Sequence, residues 1–345
     1  MTERATLCLS AARDKLDAAH ALYVFPPHDV LQRAMDKGET TKLAQSLGIA
    51  VPNTWLARDR SDADRISAQA RFPVVLKAAS SEEVSAEGVT RSTGAPVYAD
   101  ASSFLDAFEL MRRRASAVVI QEFIRGEGKG YFALMSHGEL RAEFAHRRLR
   151  DVRPSGSGSA LRESIAIDPE LRAAGLGILQ ALRWHGVAMV EFRDPGDGRP
   201  VFLEINGRFW GSLALAVHAG TDFPALLADM AIGKSCAASA PHRPGVRCRW
   251  LVGDLQHLVA VFKGPPAGYP DQFPSRIGTV ARLLRPVRGT FHDNFTLDDP
   301  LPEVGDWIHF LARRIPRELR KRRSRNAGSI ADASKPASAP REEVR

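Results

Sequence analysis

The chain has 345 residues, 44% hydrophobic and 26% charged, with a formal net charge of +8, which is the composition of an ordinary soluble globular protein with room for about two domains. Three cysteines (Cys8, Cys236 and Cys248) have no metal spacing, and so sparse and odd a count argues against a disulfide framework and makes a reducing cytoplasm the expected compartment. No segment reaches the ~20 apolar residues of a membrane span, and charges interrupt the first twenty residues where a signal peptide needs an apolar run.

The charge is unevenly placed. Between Arg313 and Arg325 there are eight Lys/Arg and one Glu, a local +7, which leaves +1 for the rest of the chain. The basic character therefore belongs to a tail. A solvated terminal helix is the first expectation there. A membrane-surface helix with Trp307, Ile308 and Leu311 among headgroups is the second. No nucleic-acid partner is expected, because interleaved aromatics and an accompanying binding fold are missing.

In chain order, residues 1–20 show only a short helical pattern. An extended segment then ends at Pro26-Pro27, and a helix covers Val30–Met35. A second helix begins near Glu39 and stops at Gly48, after which Val51-Pro52 restarts an extended strand. Phe72–Ala78 (FPVVLKA) is a short apolar strand carrying Lys77. Ser102–Arg114 reads as an amphipathic helix with Phe104, Leu105, Phe108 and Met111 on one stripe. Val118–Ile124 is a strand, followed by a turn at Arg125-Gly126-Glu127-Gly128.

Tyr131–Phe144 alternates as a hairpin that turns at His137-Gly138. Beyond it, Arg147, Arg148, Arg150 and Arg153 cluster beside a Gly/Ser run. Arg148 and Arg150, two residues apart, share one face of an extended strand. Asp168–His185 is a helix. After the next hairpin, helices are predicted at Leu213–Ala219, Pro224–Ile232 and Arg249–Phe262, and a Pro/Gly linker at Lys263–Pro274.

Gly186–Pro224 is the most informative stretch. Strands Val187–Phe192 and Val201–Ile205 flank the turn signal Asp194-Pro195-Gly196-Asp197-Gly198. Pairing across that turn brings Glu191 opposite Glu204, while Asn206, two residues on, points to the same side as Glu204. Both carboxylates sit in otherwise apolar strands, and buried carboxylates are rare unless paired or metal-bound. Three hard oxygen ligands at one sheet rim suit Mg²⁺, with waters and phosphates completing its shell. Arg208 adds a fixed cation for a phosphate or carboxylate.

The phrase FLEINGRFWGSLALAVHAGTDFP resembles the metal-binding strand and following helix of the ATP-grasp superfamily, in the branch like the carbamoyl-phosphate synthase large chain and related carboxylate–amine ligases. The resemblance implies an α+β fold of two antiparallel-sheet subdomains clamping ATP. It makes Glu191, Glu204 and Asn206 ligands of Mg²⁺ (or Mn²⁺) and Arg208 a phosphate contact. Lys77 would reach the ATP α-phosphate and adenine. The backbone of Glu122, Phe123 and Ile124 would bond the adenine, and Glu127 the ribose hydroxyls. Arg148 and Arg150 would line the reaction cleft, and Ala79–Gly94 would sit where the family has its lid over the phosphates.

It further implies a remnant of a larger N-terminal domain over 1–35 and the ATP-grasp domain over 36–235; the Pro/Gly linker marks off an accessory helical region, taken as 236–323, and the small, polar composition of 324–345 predicts a disordered tail. A partner chain is one expected source of the missing N-terminal wall. The implied activity is that of an ATP-dependent ligase joining a small-molecule carboxylate to an amine through an acyl phosphate. ATP binding without catalysis and phosphotransfer are the alternatives.

Overall fold

The computed structural model describes residues 2–78, 82–85, 88–91, 96–113, 115, 117–234, 241–266, 269–285 and 289–312. The basic run at 313–325 and the tail expected over 324–345 lie outside them, as do 79–81, 86–87 and 92–94 of the expected lid. The chain divides into two units, Met1–Asp293 and Asn294–Arg345.

The first unit opens with four helices, α1 (Glu3–Ala11), α2 (Arg13–Ala18), α3 (His28–Met35) and α4 (Lys37–Ser46). The smaller half follows: β1 (Thr54–Ala57), α5 (Arg60–Gln69), β2 (Val74–Ala78), the hairpin strands β3 (Glu82–Ser85) and β4 (Gly88–Arg91), β5 (Val97–Tyr98), α6 (Ala101–Arg112) and β6 (Val118–Glu122). The larger half contains β7 (Glu127–Ser136), β8 (Glu139–Arg153), β9 (Ser157–Ser164), α7 (Pro169–Ala181), β10 (Gly186–Asp194), β11 (Val201–Asn206), α8 (Leu213–Ala219) and α9 (Phe223–Ala231). It ends with β12 (Arg247–Arg249), α10 (Leu251–Lys263), α11 (Arg276–Leu284) and β13 (Thr290–His292).

Two sheets carry this plan. The smaller has the order β1-β6-β2-β5 and the larger β11-β10-β7-β8-β9-β12-β13; β3 and β4 pair with each other. Every pairing is antiparallel except β12 with β13. In the smaller sheet, Val74, Leu76, Val118 and Ile120 face α5 and α6 and pack with Ile66, Phe104 and Phe108. Period-2 alternation then turns Lys77 and Gln121 to the opposite face.

The larger sheet is covered on both faces. On one, Tyr131, Ala133, Val190 and Phe192 pack with Leu31, Leu171, Ile178 and Trp184. On the other, Phe132, Phe144, Val187 and Met189 pack with Trp210, Leu215 and Phe223. The His137-Gly138 turn between β7 and β8 has φ of 50° and 93°, the paired positive values of a two-residue hairpin loop whose twist matches its strands.

Two expectations are corrected by this topology. Lys263–Pro274 does not set off a separate region after residue 235. Cys248 and Phe291 occupy neighbouring strands of the larger sheet, so the chain comes back into the first unit and divides only after Asp293. Arg125-Gly126-Glu127-Gly128 is not wholly a turn either, since β7 begins at Glu127 and carries Gly128 and Gly130 as strand residues.

Helix α7 lies against β7 with no room to spare. A Cβ on Gly175 would stand 2.4 Å from Tyr131 Cδ1, whereas one on Gly177 would meet nothing within 4 Å. Replacing a helical glycine with alanine gains ~1 kcal/mol in propensity, but overpacking costs about 1–3 kcal/mol. Gly175→Ala should therefore lower the thermal midpoint and Gly177→Ala raise it, as read by calorimetric unfolding of the two variants.

Candidate active site

The site begins with the register of two strands. Glu191 of β10 pairs directly with Glu204 of β11, and Met189 with Asn206. A bulge follows, with Phe192 opposite Phe202, so Leu203 is the extra residue. The bulge reverses the alternation. Phe202 and Ile205, three apart, both enter the core beneath the sheet, and Glu204 and Asn206 are turned to the face of Glu191.

Along that face the aromatic core gives way to charge. The rows run Phe144, His146, Arg148 on β8; Phe132, Gly130, Gly128 on β7; and Met189, Glu191, Arg193 on β10. Arg148 crosses β7 to bind Glu191, Nη2 to Oε1 at 2.9 Å, with 11% and 16% of the two side chains exposed. It can cross because β7 offers no side chain there. A Cβ on Gly128 would lie 2.8 Å from Arg148 Cδ, and one on Gly130 2.5 Å from the Phe132 ring.

Two lysines approach the pair, one from α4, which packs beside β11, and one from the smaller sheet. Lys37, in the first turn of α4, reaches Glu204 Oε2 at 3.6 Å. Its position is set by Asp36, which caps that helix by accepting from the amides of Gly38 and Glu39. Lys77 donates to Gln121 Oε1 at 2.7 Å, and Gln121 Nε2 donates to Thr54 Oγ1 at 3.2 Å. Burial pushes the Lys77 ammonium down to about 8; the Lys37 charge adds to this, and Glu204 and Glu191 oppose it.

The two carboxylates are not equivalent. Burial raises Glu191 above the ordinary carboxylate range, partly offset by Arg148, and the neighbouring Glu204 charge raises it further. Glu204 is also penalised by burial, but Lys37, Lys77 and a hydrogen bond from Asn206 more than compensate and hold it below that range. Its side chain keeps 36% of its surface open to the cleft. Asn206 Nδ2 donates to Glu204 Oε1 at 3.3 Å, and its Oδ1 accepts from Arg208 Nη2 at 3.2 Å. Arg208 also donates to the Phe209 carbonyl at 2.9 Å. Two carboxylates in register with an amide oxygen beside them form a hard-oxygen donor set that fits Mg²⁺.

Not every expected residue joins this group. Arg150 does not share the site face with Arg148, because the pairing of β8 with β9 slips on both sides of Arg150. That irregularity sends Arg150 to Asp254 of α10, which Arg249 also binds. Glu127 stands on the face of Lys129 and Tyr131, away from Glu191, where it faces Arg147 Nη1 at 3.6 Å; the site-facing residue there is Gly128. In the Glu122–Ile124 segment, the Glu122 amide donates to the Asn53 carbonyl and the Phe123 amide to the Pro73 carbonyl. The Glu122 carboxylate accepts from Asn53.

Sequence reasoning missed Lys37, Gln121, Asp151 and Arg193. Asp151 lies 3.9 Å from Arg148 Nη1, and burial raises its carboxyl. Arg193 donates to the Gly126 carbonyl. Of these, only Lys37 had a signal, the Asp-Lys pair that opens a helix. A separate depression of about 780 Å³, bordered by Leu47, Ile49, Ala173, Gly177 and Arg199, shares no residue with the site.

With the geometry in hand, comparison identifies the fold. Residues 117–253 match a protein-family model described as ATP-grasp in the biosynthetic pathway with Ter operon. Comparison with curated proteins gives no match. Among solved structures, an L-amino acid ligase from Bacillus licheniformis superposes with a TM-score of 0.52 at 17% identity, covering 67% of this chain and 56% of that one. A biotin carboxylase–β-γ-ATP complex from Campylobacter jejuni gives 0.55 at 14%, covering 69% and 55%. An N5-carboxyaminoimidazole ribonucleotide synthetase from Thermus thermophilus gives 0.50 at 18%, covering 69% and 62%. This chain has the ATP-grasp fold, and it spans a little over half the length of these three structures.

Arg148 is the counter-charge of a nearly buried carboxylate. Arg148→Met should destabilise the fold by ~3 kcal/mol, the usual scale for breaking one side of such a pair. With its cation gone, the folded-state pKa of Glu191 rises further above its unfolded value. The missing stability is therefore small at low pH and grows as pH climbs through that raised pKa. Denaturant unfolding should show a larger deficit at pH 8 than at pH 5.

Proposed function

We propose that this protein is a Mg²⁺·ATP-dependent ligase that activates a substrate carboxylate as an acyl phosphate and passes the acyl group to an amine. One observation carries the reading: Glu191 and Glu204, opposed in register with Asn206 beside them, are approached by Lys77 from the smaller sheet and by Lys37 from α4. Carboxylates that hold a divalent ion and lysines that hold phosphate oxygens are the complementary halves of a metal–nucleotide site.

Mg²⁺ held by Glu191, Glu204 and Asn206 would neutralise charge on the β- and γ-phosphates. The remaining work falls to the chain's own groups. Lys77, fixed by Gln121 and Thr54, binds phosphate oxygens from the smaller sheet. Adenine would read the Glu122–Ile124 segment through its carbonyl edge and the backbone from Ile124 onward, since the Glu122 and Phe123 amides are committed elsewhere. Arg148 and Arg208 are fixed cations for the transferring phosphoryl group and the substrate carboxylate.

In the first step the carboxylate oxygen attacks the γ-phosphorus, and the bond to the bridging oxygen breaks to release ADP. In the second, the amine nitrogen bonds to the acyl carbon, loses a proton, and phosphate departs. Activation is needed because a free carboxylate has no adequate leaving group for amide formation at neutral pH.

Calorimetric titration with a non-hydrolysable ATP analogue plus Mg²⁺ tests the first half. Wild-type protein should bind, and Glu204→Gln should weaken binding by about tenfold or more, the scale of a lost metal-ligand charge; a well-folded wild type that does not bind refutes the site. Lys77 gives the pH signature. It is protonated below its pKa of about 8, so affinity should fall roughly tenfold between pH 7 and pH 9.5, and Lys77→Met should flatten that slope. Phosphate release from ATP that requires both an acid and an amine, in a screen of small molecules, tests the second half. Release with the acid alone, leaving a stable phosphorylated product, would replace the ligase reading with a phosphotransferase.

A further inference from the structure

Residues 301–312 are helical and show their aliphatic side chains to water. Leu301, Val304, Ile308 and Leu311 follow at steps of three, four and three, which sets them on one stripe, and they are 73%, 49%, 62% and 50% exposed. Leu297, just before the helix, is 93% exposed. The sheltered side is mixed, with Glu303, Asp306, Trp307 and Phe310 on it. Glu303 is buried and accepts from Trp307 Nε1 at 2.6 Å, and Asp306 accepts from Asn294 Nδ2 at 3.2 Å. The helix thus shelters its aromatic rings and leaves a second, aliphatic stripe outward, more apolar surface than its own packing uses.

The sequence that follows directly is the basic run from Arg313 to Arg325, with eight Lys/Arg against one Glu, in a chain otherwise near neutral. An aliphatic stripe joined to a dense block of cations matches one surface on both counts. Lipid headgroups of negative charge take the cations, and the acyl boundary just beneath takes the aliphatics. Nucleic acid would use the cations and leave the stripe wet, and an apolar protein groove would use the stripe without calling for the cations. Among the described residues, no helix is long and apolar enough to cross a membrane, so the contact is with the surface.

We propose that residues 297–325 dock the protein on an anionic lipid bilayer. The proposal is independent of the nucleotide reading. Sedimentation of the full chain with phosphatidylcholine vesicles, with and without one-third phosphatidylglycerol, provides the test. Binding should be at least about tenfold tighter to the anionic vesicles and should fall about tenfold between 0.1 and 0.5 M salt. Ile308→Asp, and separately the pair Arg320→Glu with Arg322→Glu, should each lose about tenfold while retaining the wild-type thermal midpoint. Equal partition onto neutral and anionic vesicles, or none onto either, overturns the proposal. So does wild-type binding by Ile308→Asp, or a concentration-dependent dimer that Ile308→Asp abolishes, which would give the stripe to a second copy of the chain.

Discussion

Glu191 and Glu204 face each other from neighbouring strands, where directly opposed side chains stand about 5 Å apart. At that distance two like charges in a partly screened site repel by about 3 kcal/mol, a large share of the margin by which a domain is stable. The surroundings of the pair are arranged to hold it. Lys37 comes from the start of a helix, Lys77 from the smaller sheet, Arg148 from two strands away and Arg193 from the same strand as Glu191. These cations come from elements far apart in sequence, so the pair and the clamp-like arrangement of the two sheets depend on each other. The compensation is also uneven. Glu204 receives both lysines and stays readily ionised, while Glu191 depends chiefly on one arginine.

Much of this was legible because strand periodicity is a strong signal. The turn at Asp194–Gly198 and the apolar runs beside it fix the hairpin, and the hairpin fixes the opposition of Glu191 and Glu204. The bulge at Leu203 was not legible, since nothing in Val-Phe-Leu-Glu announces an extra residue; its effect is seen only when Phe202 and Ile205 are found in one core. Arg148 and Arg150 illustrate the same limit. Two residues apart, they share a face by simple alternation, but an irregular pairing sends them to different partners. Glu127 was assigned by analogy of position, and strand parity puts it on the far face. Lys37 contacts Glu204 across 167 residues of chain, a relation that local pattern does not carry.

The glycines of β7 show how backbone sequence sets electrostatics. Gly128 and Gly130 would be read as weak points in a strand. Here they form a channel across the sheet through which one guanidinium reaches a carboxylate on the next strand but one. The same pair of residues gives up strand propensity and makes the ion pair sterically possible. The cost in local stability and the gain in site electrostatics therefore fall at the same two positions.

The last strand of the first unit has a bearing on how the chain acquires its structure. Arg162 of β9 is 1% exposed, and its guanidinium binds the Gly211 carbonyl and the carboxylate of Asp293, just beyond β13. All the residues that surround the carboxylate pair have been synthesised by Arg208, and the matched family segment ends at residue 253. A chain that reaches only Arg208 lacks both Asp293 and β12, whose Cys248 pairs with Arg162, so β9 would still be an open sheet edge. The edge of the larger sheet beside β9 is therefore closed by strands that come after every site-bearing one. Arg162 meets its carboxylate some eighty-five residues beyond Arg208, so a cation in the row next to Arg148 is held by a segment that adds no residue to the carboxylate pair.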